Sequence, residues 1–321
     1  MKTNSILFLL TLFAFSSCDK DAKTLEFEQI PFEGVAPIRV LRSFGDTIVA
    51  GGGDKSAEGF ISVAHIDEMN FILVKSNFKS PVYSIGEFAG RYWIGLDQAQ
   101  INQSMDLIHF EPYYFNEKDW VGDLYQHPIR KMERVGTDFL AIVGGELSKG
   151  VIYQRSDSTR SWNPLEIDHE LRALATFQDS NSWRAWVGGN GMLLTKTSSD
   201  SVWQRIDLKG VFIADMTFES NNSGWLVTYD GRVMKTKDGG ESWAEVHNPK
   251  GAHYVNRMRY KNGHFIIVAQ DGRLAHSSNG ESWQWYNLET QQDLLDVWIG
   301  ADHFIVGTEM GEVYRIPFSN L

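Results

Sequence analysis

The chain has 321 residues, 42% hydrophobic and 22% charged, an ordinary globular balance with enough apolar residue to bury a large core. Its 30 Lys and Arg stand against 41 Asp and Glu, a formal net charge of −11, which argues against a nucleic-acid partner and favours cations or basic partners. The 11 Trp, 19 Phe and 29 Gly point to β structure with many tight turns.

The chain opens on a targeting pattern. Lys2 supplies a positive start, and Ile6 to Phe15 is an apolar run broken only by Thr11. That run is too short for a membrane span of about 20 residues. Ser16, Ser17 and Cys18 follow, and this resembles the lipobox of bacterial lipoproteins, which implies cleavage before Cys18 and lipid attachment to it. Residues 1–17 are thus expected to be a lipoprotein signal peptide and residues 18–24 a lipidated tether. Acyl chains would hold the domain to a membrane at about 0.8 kcal/mol per buried CH₂. Cys18 is the only cysteine, so neither disulfides nor thiol chemistry is expected. Asp19, directly after the cysteine, resembles an inner-membrane retention signal of enteric-type sorting, whereas the short charged stretch Asp19, Lys20 and Asp21 resembles a surface-export signal of other envelopes; the expectation is an exported, lipid-anchored protein of the cell envelope, at the outer membrane.

From Leu25 onward the chain repeats. Residues 224–246 align with 264–286, with 184–206, and with 139–165 through a longer loop. Each unit reads strand, Gly turn, strand, polar turn, Trp, strand. Trp162, Trp203, Trp243 and Trp283 lie about 40 residues apart, and Phe110, Phe71 and Phe27 extend the series upstream. A second marker, apolar-x-x-apolar, precedes each unit: Ile38/Leu41, Val82/Ile85, Ile129/Met132, Leu171/Leu174, Ile213/Met216, Val255/Met258 and Leu294/Val297. Both markers predict an all-β fold, a single seven-bladed β-propeller of four-stranded antiparallel blades over residues 25–321. After Leu294 too few strands remain for a full blade, so the N-terminal strand is expected to complete the last blade and close the ring.

Thr236, Asp238, Gly240, Ser242 and Trp243 stand at the S/T-x-D-x-G-x-S/T-W positions, and this stretch resembles the BNR, or Asp-box, propellers. The Trp-Val-Gly pattern at Trp186 is similar to the photosystem II assembly-factor-like propellers. The resemblance implies a propeller fold in which the Asp-box is a structural turn: the carboxylate accepts backbone N–H groups, Gly takes φ > 0 and Trp packs between blades.

No H-E-x-x-H, G-x-S-x-G, P-loop or EF-hand pattern occurs, and the nine His show no ligand spacing, so neither metal nor cofactor is expected. Arg315-Ile316-Pro317 resembles the R-I-P motif of sialidases, but here it ends the last unit, where an ordinary strand residue is expected. Two constellations remain. The residue after the first apolar marker is Arg39, Tyr83, Arg130, Arg172, Ala214, Asn256 or Leu295 in successive units, which predicts an arc of Arg and Tyr at one channel rim, suited to carboxylate, phosphate or a sugar face. The competing reading pairs these arginines with Glu170 or Asp168. The turn after each second strand carries Asp54, Asp97, Glu146, Asn190, Asp230, Asp271 or Glu309, an acidic ring on the same face, open to a cation or a basic partner. These features predict a monomeric, non-catalytic binding or assembly module for a protein or glycan partner at the envelope, touching the membrane through its lipid alone. The alternative is a glycan-active enzyme of sialidase-like type.

Overall fold

The structure, a computed structural model, describes residues 22–33, 36–55, 58–113, 127–146, 149–157, 161–249 and 254–321. Cys18 and the rest of the expected leader lie outside the described residues. Among the described residues the chain is all β apart from a 3₁₀ turn at Phe318–Asn320, and no helix is long and apolar enough to cross a membrane.

Sheets follow one another around a central channel, each presenting its first strand inward. The first sheet holds Ile38–Phe44, Thr47–Gly52, Gly59–His65 and Ile72–Phe78. The second holds Val82–Phe88, Arg91–Leu96, Ile101–Ser104 and Phe110–Tyr113. The third holds Ile129–Val135, Asp138–Glu146, Lys149–Ser156 and Trp162–Ile167. The fourth has six strands: Leu171–Gln178, Trp183–Thr197, Gln204–Phe218, Gly224–Thr228, Val233–Thr236 and Ala244–His247. The fifth runs Val255–Lys261, His264–Ala269, Arg273–Ser277 and Gln284–Asn287, and Lys23–Thr24 adds a parallel fifth strand at its outer edge. The sixth runs Leu294–Ile299, His303–Thr308 and Val313–Pro317, with Glu28–Ile30 antiparallel on its outer edge.

The expected seven four-stranded blades are therefore corrected: counted by hydrogen-bonded sheets, the propeller has six, not seven. The cause is local. Trp183–Thr197 and Gln204–Phe218 each run 15 residues without a break, through the places where other units part. The pair Asn190↔Phe212 bridges that place, so two repeat units share one sheet and two copies of the inner-strand marker. At the ring seam, Lys23–Thr24 belongs to the fifth sheet and Glu28–Ile30 to the sixth, so a few N-terminal residues lace two neighbouring sheets together.

The marker positions are buried because both apolar residues point between sheets; Ile38, Leu41, Val82, Ile85, Ile129 and Met132 are all buried. Between the second and third sheets, Trp93 and Phe139 (centroids 6.2 Å apart) pack with Phe88 and Trp162. The largest buried side chains include Trp93, Trp186 and Trp225, each on the second strand of its repeat unit, whereas the repeat-position Trp203, Trp243 and Trp283 are half-buried and only Trp162 of that series is fully covered. In the Asp-box, Asp238 Oδ1 accepts the Ser242 N–H at 2.9 Å and the Thr236 hydroxyl at 2.7 Å. Those hydrogen bonds, the Ser242 hydroxyl foremost, hold its carboxyl down at about 2. Gly239 and Gly240 take φ +76° and +98°, and Trp243 Nε1 donates to the Gly240 carbonyl at 3.0 Å. Trp186 Nε1 donates to the Gly239 carbonyl at 2.8 Å, tying the turn to the preceding repeat.

Candidate functional site

Every copy of the inner strand carries a β-bulge at one place. Pairing skips between Ile38 and Val40, Val82 and Ser84, Ile129 and Lys131, Leu171 and Ala173, Ile213 and Asp215, Val255 and Arg257, and Leu294 and Asp296. The skipped residues are Arg39, Tyr83, Arg130, Arg172, Ala214, Asn256 and Leu295. A bulge re-aims the side chain of its extra residue, and here all seven line one cavity of about 150 Å³ at a channel mouth, joined by Tyr229 and Arg257. Opposite Ile38 and Leu171 the facing residue is glycine, Gly52 and Gly189, for a steric reason. A Cβ on Gly52 would lie 1.9 Å from the Pro37 carbonyl oxygen, and one on Gly189 would lie 1.7 Å from that of Glu170.

The three arginines of the arc are held by one nitrogen each. Arg39 Nε donates to the Gly53 carbonyl at 2.9 Å and Arg130 Nε to the Gly144 carbonyl at 2.6 Å, the same contact in two units. Arg172 Nε donates to Glu170. Among the described residues the terminal guanidinium nitrogens of Arg39 and Arg172 have no hydrogen bond, and Arg130 Nη2 reaches Glu170 only at 4.0 Å. Tyr83 sits under Arg39, with the guanidinium carbon 5.1 Å from the ring centroid, and Tyr229 under Arg172 at 5.5 Å. Glu170 is thus the one carboxylate that meets Arg130 and Arg172, while Asp168 pairs with Arg205 instead, at 2.9 Å. Burial, and next the neighbouring Arg172, bring Arg130 down to about 10, still charged at neutral pH. Burial raises the Tyr229 phenol, so it remains a neutral donor.

Below the mouth the channel is filled by paired charges. Lys131 donates to Asp215, whose oxygens also accept the N–H groups of Met216 (2.8 Å) and Met258 (3.1 Å). Asp296 accepts from Arg257 Nε (3.1 Å), Arg259 Nη2 (3.2 Å) and the Leu41 N–H (3.0 Å). Ser84 donates to the Ile129 carbonyl at 2.7 Å. Ser84, Lys131, Asp215, Arg257 and Asp296 all follow the bulge by one residue, and their side chains tie one inner strand to others across or around the ring. At the far end, Arg42 pairs with Glu133.

The acidic turn residues lie at the same end of the sheets as the arginine arc but do not share one turn position. Asp97 and Glu309 hold the position whose N–H bonds back to the inner strand's leading residue, as Asn190 does. Gly53, Tyr229 and Gln270 hold it in other units, so Asp54, Asp230 and Asp271 come one residue later. Asp230 is engaged by Thr228 and Arg232, Asp97 lies 3.7 Å from Lys55, and Glu309 accepts the Asp293 N–H at 3.2 Å. Glu146 ends its strand. Among the described residues no three His, Cys, Asp or Glu are grouped to hold a metal ion. Arg315 lies away from the mouth, 3.7 Å from Glu28 across the seam. Tyr229, Arg257 and the charged layer were not anticipated. Alignment on the apolar marker, rather than on turn composition, finds Arg257 and the charged layer, which lie two residues after Ile129, Ile213, Val255 and Leu294 and their counterparts.

The fold and this mouth define a β-propeller with a cationic, aromatic-walled channel entrance. Residues 195–316 match the family described as Photosynthesis system II assembly factor YCF48. Among solved structures the chain is similar to YCF48 bound to D1 peptide, at 14% identity over 92% of this chain and 97% of that one, with a TM-score of 0.69. It is also similar to YCF48 from Cyanidioschyzon merolae, at 12% identity over 92% and 99%, with a TM-score of 0.68. The catalytically inactive virginiamycin B lyase from Staphylococcus aureus is a third, at 9% identity over 92% and 99%, with a TM-score of 0.68. No curated protein matches the sequence. These likenesses show the fold, a β-propeller, with residues 195–316 similar to the photosystem II assembly factor family.

Proposed function

We propose that this chain is a non-catalytic docking propeller, lipid-anchored through Cys18 at the cell envelope, which receives an anionic group of a protein partner in the arginine-lined mouth. The observation that carries this reading is the economy of the mouth. Arg39, Arg130 and Arg172 spend essentially one nitrogen each on the protein, and Glu170 is the single carboxylate shared by two of them. Guanidinium forks left in this state suit a carboxylate, and the flanking Tyr83 and Tyr229 offer faces for the adjoining peptide. A cavity of about 150 Å³ admits an acidic side chain or a chain terminus rather than a folded element. A similar propeller is known in complex with a peptide, which supports a protein partner over a glycan.

The test is calorimetric titration with a short glutamate-rich peptide and its glutamine counterpart. The acidic peptide binds and the neutral one does not. Arg130→Ala and Arg172→Ala each weaken binding by about 10- to 100-fold, the worth of one charged hydrogen bond, while folding is kept. Equal binding of the two peptides, or full binding by the double variant, would overturn the proposal.

A further inference from the structure

A second docking surface lies on the outer rim, at the ring seam. A cleft of about 670 Å³, the largest of those described, is lined in part by Ile30, Phe32, Glu33, Phe71, Met310 and Glu312. Polar and apolar side chains share its lining: Gln29 and Asn70 stand beside Phe32 and Phe71, whose ring centroids are 5.3 Å apart, and beside Met310, which is 62% exposed. Its charge has one sign. Glu312 accepts from Gln29, Gln292 and the Tyr314 hydroxyl, and the Tyr314 bond above all holds its carboxyl below the usual range. All three donors are neutral, so the charge stands uncompensated. Glu33 is exposed and has no ion pair among the described residues, and no Lys or Arg lines the cleft.

The backbone beside the cleft is an open edge. Glu28–Ile30 pairs with Val313–Pro317 on one side only, and residues 31–33 continue it without any backbone hydrogen bond among the described residues. An exposed strand edge is a template for another strand. The adjoining fifth sheet has already accepted one, since Lys23–Thr24 pairs along the outer edge of Gln284–Asn287. We propose that the seam cleft docks an extended cationic segment of another protein, added as a strand beside Glu28–Ile30. Its Lys or Arg side chains would meet Glu33 and Glu312, and an apolar side chain would seat against Phe32, Phe71 and Met310. A second copy of this chain is a poor occupant, because its net charge of −11 repels the same cleft. This surface is separate from the channel mouth and takes the opposite charge.

Fluorescence anisotropy with a labelled octapeptide of alternating lysine and valine, and with its glutamate–valine counterpart, tests it on the full chain. The lysine peptide binds and the glutamate peptide does not compete for it. The exposed-site variants Glu33→Lys and Met310→Lys each weaken the lysine peptide at least tenfold with melting temperature kept, and Arg130→Ala at the mouth leaves it unchanged. The proposal is overturned if the lysine peptide fails to bind, or if Glu33→Lys and Met310→Lys both bind it within twofold of the parent. Self-association of the parent that Glu33→Lys abolishes would assign the cleft to a second copy and overturn it too.

Discussion

Replacement of Asp296 by alanine attacks the ring at its seam. The carboxylate is fully buried, and its oxygens accept the Val297 N–H at 2.9 Å, Arg257 Nε at 3.1 Å and Arg259 Nη2 at 3.2 Å, together with the Leu41 N–H of the first sheet at 3.0 Å. Alanine leaves two guanidinium groups and two backbone donors without this acceptor. Removal of one partner from a buried ion pair costs about 3–5 kcal/mol, a large share of the roughly 5–15 kcal/mol that holds a protein folded. The expected fall in melting temperature is on the order of 10 °C. Asp296→Asn retains a carbonyl acceptor for one donor and is expected to lose less. Burial alone would raise this carboxyl, but Arg259, Arg257 and the two N–H groups hold it below its ordinary range. Its contribution is therefore present above the unfolded value of about 3.9 and is lost as pH falls through the lower folded value. Urea unfolding at neutral pH, repeated in acid, reads both effects. A loss below about 1 kcal/mol in the alanine variant would refute the view that this carboxylate staples the last sheet to the first.

Further outcomes follow from the same geometry. Cys18→Ser is expected to abolish lipid attachment and move the protein from the membrane fraction to the soluble one, read by fractionation and by the mass of the mature chain. Trp186→Ala is expected to cost about 3–5 kcal/mol, because Trp186 is fully buried and stacked on Phe218 at 3.6 Å, whereas the half-buried Trp243 costs clearly less; denaturant titration of both variants checks the order. Gln98→Gly is expected to stabilise by roughly 0.5–1 kcal/mol, since Gln98 is exposed and holds φ +56° in a tight turn, and unchanged stability on thermal melting would count against backbone strain there.

The repeat was legible because the apolar marker at Ile38/Leu41 and its counterparts follows directly from burial between sheets. The arginine arc was legible for the same reason, since Arg39, Arg130 and Arg172 sit at one offset from that marker. The bulge that turns them into the channel is a backbone event without a residue signature of its own. The sheet count failed because two repeats fuse through Asn190↔Phe212, a pairing set by strand continuity rather than composition. The acidic turn residues do not share one repeat position because turn lengths differ, leaving Asp54, Asp230 and Asp271 one residue out of register with Asp97 and Glu309. Tyr229 was hidden by the same slip: it precedes Asp230, the residue that its turn chemistry brings to notice.

The claim that the mouth is the docking face is tested most directly by site-specific photocrosslinking in cells that make the protein. A photoreactive phenylalanine analogue replaces Tyr83 or Tyr229 at the mouth, or Val202, which is exposed on the outer rim. A discrete protein adduct is predicted from both mouth positions, absent from position 202 and lost when Arg130→Ala and Arg172→Ala are added. Adducts that arise equally from position 202, or that survive the arginine double variant, would contradict it.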